Sequence, residues 1–119
     1  MGDYQQKMEK ILKDARIHTF ANHSPTYKNV FGAVGGYIDD QIFCSCGSFG
    51  FALKLPQAEM DKLFDEGAKP LKYFPNGHVK KDYAVLAESM LSDHERLHDL
   101  IEKCMQFLNP SLTQEGEFP

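Results

Sequence analysis

The sequence predicts an α+β domain, and three features of the chain support that prediction. Apolar residues recur with a helical period near both ends, whereas the centre consists of short β-branched and aromatic runs separated by turn residues. A further helical pattern interrupts those runs. The predicted order of elements is α-β-β-β-β-α-β-β-α within a single domain of residues 1–110, and residues 111–119 are expected to form a disordered tail.

The first helix is predicted over residues 3–15. Asp3 lies at the position expected for the N-terminal cap of this helix. Pro25 interrupts the polar connection that follows the helix. The apolar residues of the helix recur at a spacing that places them on one face. They are Tyr4, Met8, Ile11, Leu12 and Ala15.

Four short strands are predicted between residues 27 and 55. The runs YKNVFG, VGGYID, QIFCSC and GFALKL are rich in β-branched and aromatic residues. Asp39 and Asp40 stand where a tight hairpin turn is expected. The density of glycine at positions 32, 35 and 36 indicates a bulge or a close approach of another part of the chain.

The remaining elements are a helix, two strands and a last helix. Pro56 suits the first turn of the second helix and Gly67 suits its end. PLKYF and YAVL are predicted strands, joined by a segment with an Asn76-Gly77 turn. The last helix is predicted over residues 92–108, and Pro110 prevents it from continuing further.

Residues 94–98 read HERLH and match the H-E-x-x-H pattern of zinc hydrolases. In that pattern two histidines one helical turn apart bind Zn²⁺, and the glutamate activates a water molecule. His94 and His98 are therefore weak candidates for metal ligands, with Glu95 as the base. A third ligand would have to come from His18, His23 or His78.

Ordinary helix chemistry explains the same letters. Ser92 and Glu95 fit an S-x-x-E capping box at the start of the last helix, in which each side chain binds the other residue's backbone N–H. The extended metal-binding continuation after His98 is also absent. We therefore predict that HERLH starts a helix, that the protein is not an enzyme, and that it carries no metal or cofactor.

The cysteines allow two interpretations. Cys44 and Cys46 lie two apart on a predicted strand and share one face, so with Cys104 they could form a thiolate site. The CxxC spacing of metal sites is missing, and free cysteines often pack as small apolar residues. We expect core packing.

The stretch KPLKYFPNGHVKKDY interleaves basic and aromatic residues. Such a patch could bind an anion or a nucleic-acid backbone. The net charge of −4 favours the simpler interpretation of an exposed hairpin whose lysines protect its edge. The lysines of this possible anion patch are Lys69, Lys72, Lys80 and Lys81.

Several stretches together resemble one protein family. KNVFGAVGGYIDDQIFCSCGSFGFALKL, the helix that follows it, KPLKYF and KKDYAVL are similar to the TfoX N-terminal domain, over about residues 15–108. That domain forms the first half of the TfoX/Sxy competence regulators and also occurs alone in small bacterial proteins. The most specific pieces are Phe31-Gly32, Gly36-Tyr37, Phe43, Ala52-Leu53-Lys54, and Pro70-Leu71 followed by Phe74 and Tyr83.

The resemblance implies a two-layer fold, in which an antiparallel sheet of about five to six strands carries helices on one face. It also implies a homodimer without catalytic residues, which contacts the transcription machinery and acts in DNA-uptake competence. The lack of a long apolar run and of a secretory signal at the N-terminus predicts a cytoplasmic protein. Direct nucleic-acid binding and a membrane partner are not expected. The residues that would set its shape or its contacts are Phe31, Gly32, Gly36, Tyr37 and Lys54.

Strand 42–46 is apolar on both faces, with Ile42, Cys44 and Cys46 on one and Phe43 on the other. Helices of a two-layer domain cover only one face of the sheet. The second apolar face therefore predicts a partner surface, unless a loop or the C-terminal tail covers it.

Overall fold

The computed structural model describes residues 3–19, 24–30, 32–72 and 79–108. It confirms the predicted order of elements and adds a 3₁₀ turn (Ile17–Thr19) and a short extra helix, α3. The other elements are α1 (Asp3–Asp14), β1 (Thr26–Val30), β2 (Ala33–Ile38), β3 (Gln41–Gly47), β4 (Gly50–Lys54), α2 (Gln57–Asp65), β5 (Lys69–Leu71), β6 (Lys80–Val85), α3 (Glu88–Ser92) and α4 (His94–Leu108). The predictions for His23, Phe31, Phe74, the Asn76-Gly77 turn, His78, Pro110 and residues 111–119 lie outside the described residues.

The six strands form one antiparallel sheet in the order β1-β2-β3-β4-β6-β5, which confirms the α+β class. Asp39 and Asp40 make the predicted turn between β2 and β3. Both have positive φ, of 51° and 68°, which short acidic side chains tolerate better than most. Within the described residues, no helix combines the length and apolarity that a membrane span requires.

Helices α1, α2 and α4 bury their apolar stripes in one core with the sheet. Met8 and Leu12 of α1, Leu63 of α2, and Leu97 and Ile101 of α4 are almost completely buried there. The helical periodicity of the sequence therefore identifies the faces that pack on the sheet.

A β-bulge in β3 changes the face to which one large side chain belongs. Gly36 pairs with Cys44, and the next residue, Tyr37, pairs with Ile42, so Phe43 has no partner in β2. Phe43 consequently lies in the helix-side core together with Cys44. The prediction that Phe43 points to the opposite face is wrong, because strict alternation fails at the bulge.

The far face of the sheet carries its own small cluster, formed by Ala52, Leu71 and Tyr83. These residues are 0–5% exposed, and residues 43–46 of β3 are completely buried. These four residues therefore offer no exposed apolar surface. Ile42 is only partly buried and pairs with Tyr37, so it does not share the face of Cys44 as predicted.

The two edges of the sheet differ in their side chains. β1 carries the exposed Lys28 at its centre, and β5 carries Pro70, whose nitrogen has no hydrogen to donate to a further strand.

Gly36→Ala is expected to lower the free energy of unfolding by ~1–3 kcal/mol through overpacking. A Cβ at this position would lie 2.7 Å from Cys44 Sγ and 3.1 Å from Met8 Sδ. Cys44→Ala removes that sulfur, so Gly36→Ala should cost less in the Cys44→Ala background. Urea unfolding of the four proteins measures the coupling; equal costs in both backgrounds would contradict the close contact.

Candidate functional site

The HERLH segment forms the first turn of α4, and Asp93 caps it. The Arg96 backbone N–H donates to Asp93 Oδ1 at 3.1 Å, and the Leu97 N–H donates to the Asp93 carbonyl at 2.9 Å. Ser92 instead belongs to α3, where its hydroxyl donates to the Ser89 carbonyl at 3.2 Å. The helix start is confirmed, but the predicted Ser92 capping box is wrong and the cap lies one residue later.

The two histidines of the motif contact the end of α1. His94 Nε2 lies 3.5 Å from Asp14 Oδ2, and His98 Nδ1 lies 2.7 Å from the Ala15 carbonyl oxygen. A carbonyl oxygen can only accept, so Nδ1 of His98 carries the proton and donates. The last carbonyl groups of a helix have no N–H donor within the helix, and at the C-terminus of α1 His98 supplies that donor.

The remaining polar residues of the motif form ion pairs. Glu95 Oε1 lies 3.6 Å from Arg16 Nη2, just beyond α1. Arg96 donates two hydrogen bonds, of 2.8 and 2.9 Å, to the carboxylate of Glu66 at the C-terminus of α2. The start of α4 is thus joined to the ends of two other helices.

These contacts shift the pKa values of two carboxyl groups. The hydrogen bond from Arg96 lowers the pKa of Glu66, and Glu66 in turn raises the pKa of Arg96. The hydrogen bond from Lys10, at 2.8 Å, lowers the pKa of Asp14, with a further contribution from the charge of His94. Both carboxylates therefore favour the charged form in the folded protein.

His94 and His98 do not converge on a metal site within the part of the chain that the structure describes. There, no three histidine, cysteine or carboxylate side chains are grouped closely enough to bind a metal ion together. The geometry of HERLH is that of a helix junction among α1, α2 and α4.

The three cysteines are free thiols, and all are buried. Cys44 Sγ lies 3.7 Å from Met8 Sδ, and Cys104 Sγ donates to the Phe43 carbonyl at 3.6 Å. Burial is the main cause that raises the pKa of each thiol. The neutral thiol is therefore favoured, whereas the thiolate is the nucleophile and the metal ligand.

Two of the four patch lysines are seen at the β5 edge. Lys69 and Lys72 are exposed. Lys80 and Lys81 belong to the neighbouring strand, β6. Beside this edge is a groove that the sequence did not reveal, because its walls are far apart in the chain. It is lined by Gln57, Met60, Phe64, Pro70, Val79, Asp82 and Tyr83.

Comparison with protein families identifies the TfoX N-terminal domain. The model of the TfoX N-terminal domain matches residues 23–108, which include all six strands and helices α2, α3 and α4. The chain belongs to the TfoX N-terminal domain family. A comparison with curated proteins finds no match.

Helix α1 precedes the segment that matches the TfoX N-terminal domain. The groups that HERLH contacts at Asp14, Ala15 and Arg16 also precede it. In this TfoX N-terminal domain the motif therefore joins the matched segment to the helix before it.

The residues that the resemblance singled out do not form one site. Gly36 lies in the core beneath α1, where its missing side chain leaves room for Met8. Gly32 occupies the turn between β1 and β2 with φ of 80°, a conformation that favours glycine. Both fit a shape-setting role, and Phe31 lies outside the described residues.

Tyr37 and Lys54 lie on the far face of the TfoX N-terminal sheet, each in a lysine–tyrosine pair. Lys28 Nζ lies 4.9 Å from the centre of the Tyr37 ring, and Lys54 Nζ lies 5.9 Å from the centre of the Tyr83 ring. The first contact joins β1 to β2 and the second joins β4 to β6, so the two contacts are separate on this face.

Asp93→Ala is expected to destabilise the protein by ~1 kcal/mol, because the Arg96 N–H loses its acceptor at the helix start. Ser92→Ala is the matched control and should have a smaller effect, since its hydroxyl serves only α3. Urea unfolding measures both. A larger loss of stability for Ser92→Ala than for Asp93→Ala would instead support the Ser92 capping box that the sequence suggests.

The pair of Glu66 and Arg96 should stabilise the protein at neutral pH and not in acid. The pKa of Glu66 is lower in the folded state than its ordinary 4.5, so the stabilisation is present above that value and is lost as pH falls through the folded value. Glu66→Gln should therefore lower stability at neutral pH, and its stability should converge with that of the unmodified protein as the pH falls through the folded pKa of Glu66.

Unfolding midpoints measured from pH ~7 down to ~3 test this convergence. Glu95→Gln is the control at the same junction, because its more exposed pair with Arg16, at 3.6 Å, should contribute less at neutral pH. A difference between Glu66→Gln and the unmodified protein that persists undiminished in acid would assign the effect to packing.

Proposed function

We propose that this chain is a non-enzymatic regulatory module that works through protein contacts in the control of DNA-uptake competence. The observation that supports it most is the family match over residues 23–108, because the TfoX N-terminal domain is a competence-related regulatory domain. In this proposal the protein is cytoplasmic, forms a homodimer and acts as a transcription co-regulator. The cyclic-AMP receptor protein and RNA polymerase are the partners that the family's role suggests.

The engagement of the reactive side chains supports a role without catalysis. His94, Glu95 and His98 make contacts that join helices, and the thiols of Cys44 and Cys104 are completely buried. A nucleophile or a general base needs access to substrate and a suitable pKa. These groups instead serve the packing of α1 and α4 on the sheet.

The distribution of charge supports a protein partner over nucleic acid. The strands contain five lysines and a single acidic residue, Asp82, whereas the four α-helices contain ten acidic residues against six lysines and arginines. The acidic helices and the net charge of −4 oppose long-range attraction of a nucleic-acid backbone, whereas the lysines of the sheet can pair with carboxylates of a protein partner.

Affinity purification of the tagged protein from its native cells at moderate salt, followed by mass spectrometry, tests the proposal. We expect repeated recovery of the receptor protein or of polymerase subunits above the level of a tag-only control. Static light scattering of the purified protein should give twice the mass of one chain if the homodimer forms.

Three results would overturn parts of the proposal. Recovery of the protein alone in repeated purifications would remove the role in protein contacts, and a monomeric mass would remove the homodimer. Stoichiometric zinc that is lost in His98→Ala, while the fold is retained, would replace the non-enzymatic assignment with the zinc-hydrolase alternative.

A further inference from the structure

A groove between α2 and the β5–β6 pair is separate from the HERLH junction. Met60 and Phe64 of α2 line it together with Pro70, Val79 and Tyr83. It has a volume of about 160 Å³ and is partly open to solvent. A cavity of roughly 150 Å³ can hold a benzene molecule, so the groove has room for one phenylalanine ring.

Two large apolar side chains are exposed in the part of the chain that the structure describes, Val79 and Phe107. Val79 borders the groove and is 47% exposed. Phe107 is 39% exposed, belongs to the last turn of α4 and does not line the groove of its own chain. One exposed apolar feature is therefore a cavity, and the other is an aromatic side chain of a size that fits it.

The charges beside these two features are opposite. Among the described residues that line the groove, Asp82 is the charged one. Lys103 lies one helical turn before Phe107, so the two residues share a face of α4. The side chains of Asp82 and Lys103 are partly buried, and neither forms an ion pair or a hydrogen bond within the described residues. The end of α4 that would bring Phe107 to a groove would therefore also bring a positive charge to a negative one.

Phe107 and the groove lie on neighbouring parts of the surface. Cys104 of α4 is within hydrogen-bonding reach of the backbone of Lys54, the last residue of β4. Phe107 follows Cys104 by three residues, and Gln57, which lines the groove, follows Lys54 by three. Three residues span at most roughly 11 Å as an extended chain and about 4.5 Å in a helix. This proximity allows a two-fold axis that places each feature against its counterpart in a second copy.

We propose that the groove binds Phe107 of a second copy of this chain, with Lys103 of that copy beside Asp82. The proposal rests on the proposed function, in which the protein forms a homodimer, and it specifies the contact that holds the two copies together. In a two-fold arrangement the contact is made twice, once in each direction. The two Phe107 side chains are then the anchors of the interface, and the surrounding contacts contribute less.

An anionic occupant fits the groove less well. None of the described lining residues carries a positive charge, and Asp82 would repel a phosphate or a carboxylate. An aromatic side chain with a positive charge one turn away meets both the cavity and the carboxylate. The surface of α4 carries that combination.

Sedimentation velocity over a range of protein concentrations measures the dissociation constant of the dimer. Phe107→Ser and Val79→Ser should each weaken the dimer by roughly tenfold or more, because each substitution affects both anchors. Phe107→Leu keeps a large apolar side chain and should retain most of the affinity. Circular dichroism and urea unfolding of each variant show that the fold is retained.

A mixture of two variants is the sharpest test of the reciprocal contact. In a mixed pair, Phe107 of the Val79→Ser copy meets the unmodified groove of the Phe107→Ser copy, so one of the two contacts is restored. Energy transfer between fluorescent labels on the two variants should show a mixed dimer that is tighter than either variant dimer by roughly threefold or more. A substitution that only weakened the fold would gain nothing from mixing.

A second set of variants tests the charge pair. Asp82→Asn removes the charge and keeps a residue type that tolerates the positive φ of 71° at this position. Asp82→Asn and Lys103→Gln should each weaken the dimer by roughly threefold, and the double variant should lose no more than either alone. Lys13→Gln is the matched control, because it removes an exposed lysine of α1 outside the contact and should leave the dissociation constant unchanged. Losses that add in the double variant would contradict the pair.

The outcomes that overturn the proposal are distinct from those that overturn the proposed function. A dimer that Phe107→Ser and Val79→Ser leave unchanged would overturn this contact, while the homodimer stands. The absence of a gain on mixing, or masses that grow beyond that of two chains, would overturn the reciprocal arrangement. Loss of a co-purified protein from Val79→Ser but not from Phe107→Ser would assign the groove to that protein instead.

A monomeric unmodified protein would overturn this contact and the homodimer together. The regulatory role would then still stand if the receptor protein or polymerase is recovered from cells.

Discussion

The rest of the fold depends on the close approach of α1 to the sheet at Gly36. Any side chain at this position would meet Cys44 Sγ and Met8 Sδ within 3.1 Å. The missing Cβ therefore allows α1 to lie against β2 and β3, with Met8 and Leu12 buried. Once α1 is seated, its last turn presents Asp14, the Ala15 carbonyl and Arg16 to the start of α4, and the HERLH contacts follow.

HERLH shows why a short motif needs its structural context. Two histidines one turn apart on a helix share a face, and that is equally useful for binding zinc and for contacting a neighbouring helix. Periodicity correctly placed the segment at a helix start. It could not choose between Ser92 and Asp93 as the cap, because the choice depends on where α3 ends. Asp93 has φ of −91° and ψ of 91°, so the chain leaves the helical conformation there and restarts at His94.

The sequence was most informative where one local rule governs a segment. The helical stripes, the Asp39-Asp40 turn and the strand-rich centre follow from spacing and turn chemistry, and the family resemblance supplied the sheet with helices on one face. The prediction from sequence failed at Phe43, because the bulge depends on the pairing between β2 and β3 and moves Phe43 to the other face of the sheet. The groove could not be predicted either, since Phe64 and Val79 are far apart in the chain and line it together only because α2 packs against β6.

The side chains at the sheet edges bear on how this protein behaves when it is concentrated. An exposed edge strand is a template for another chain, and strand addition of this kind begins many fibrillar aggregates. Lys28 places a charge in the middle of β1, so two copies paired there would bring like charges together, and Pro70 denies β5 a donor. Replacing these two residues would therefore endanger the protein through misassembly and shorten its shelf life in solution, even where the folded chain itself lost little stability.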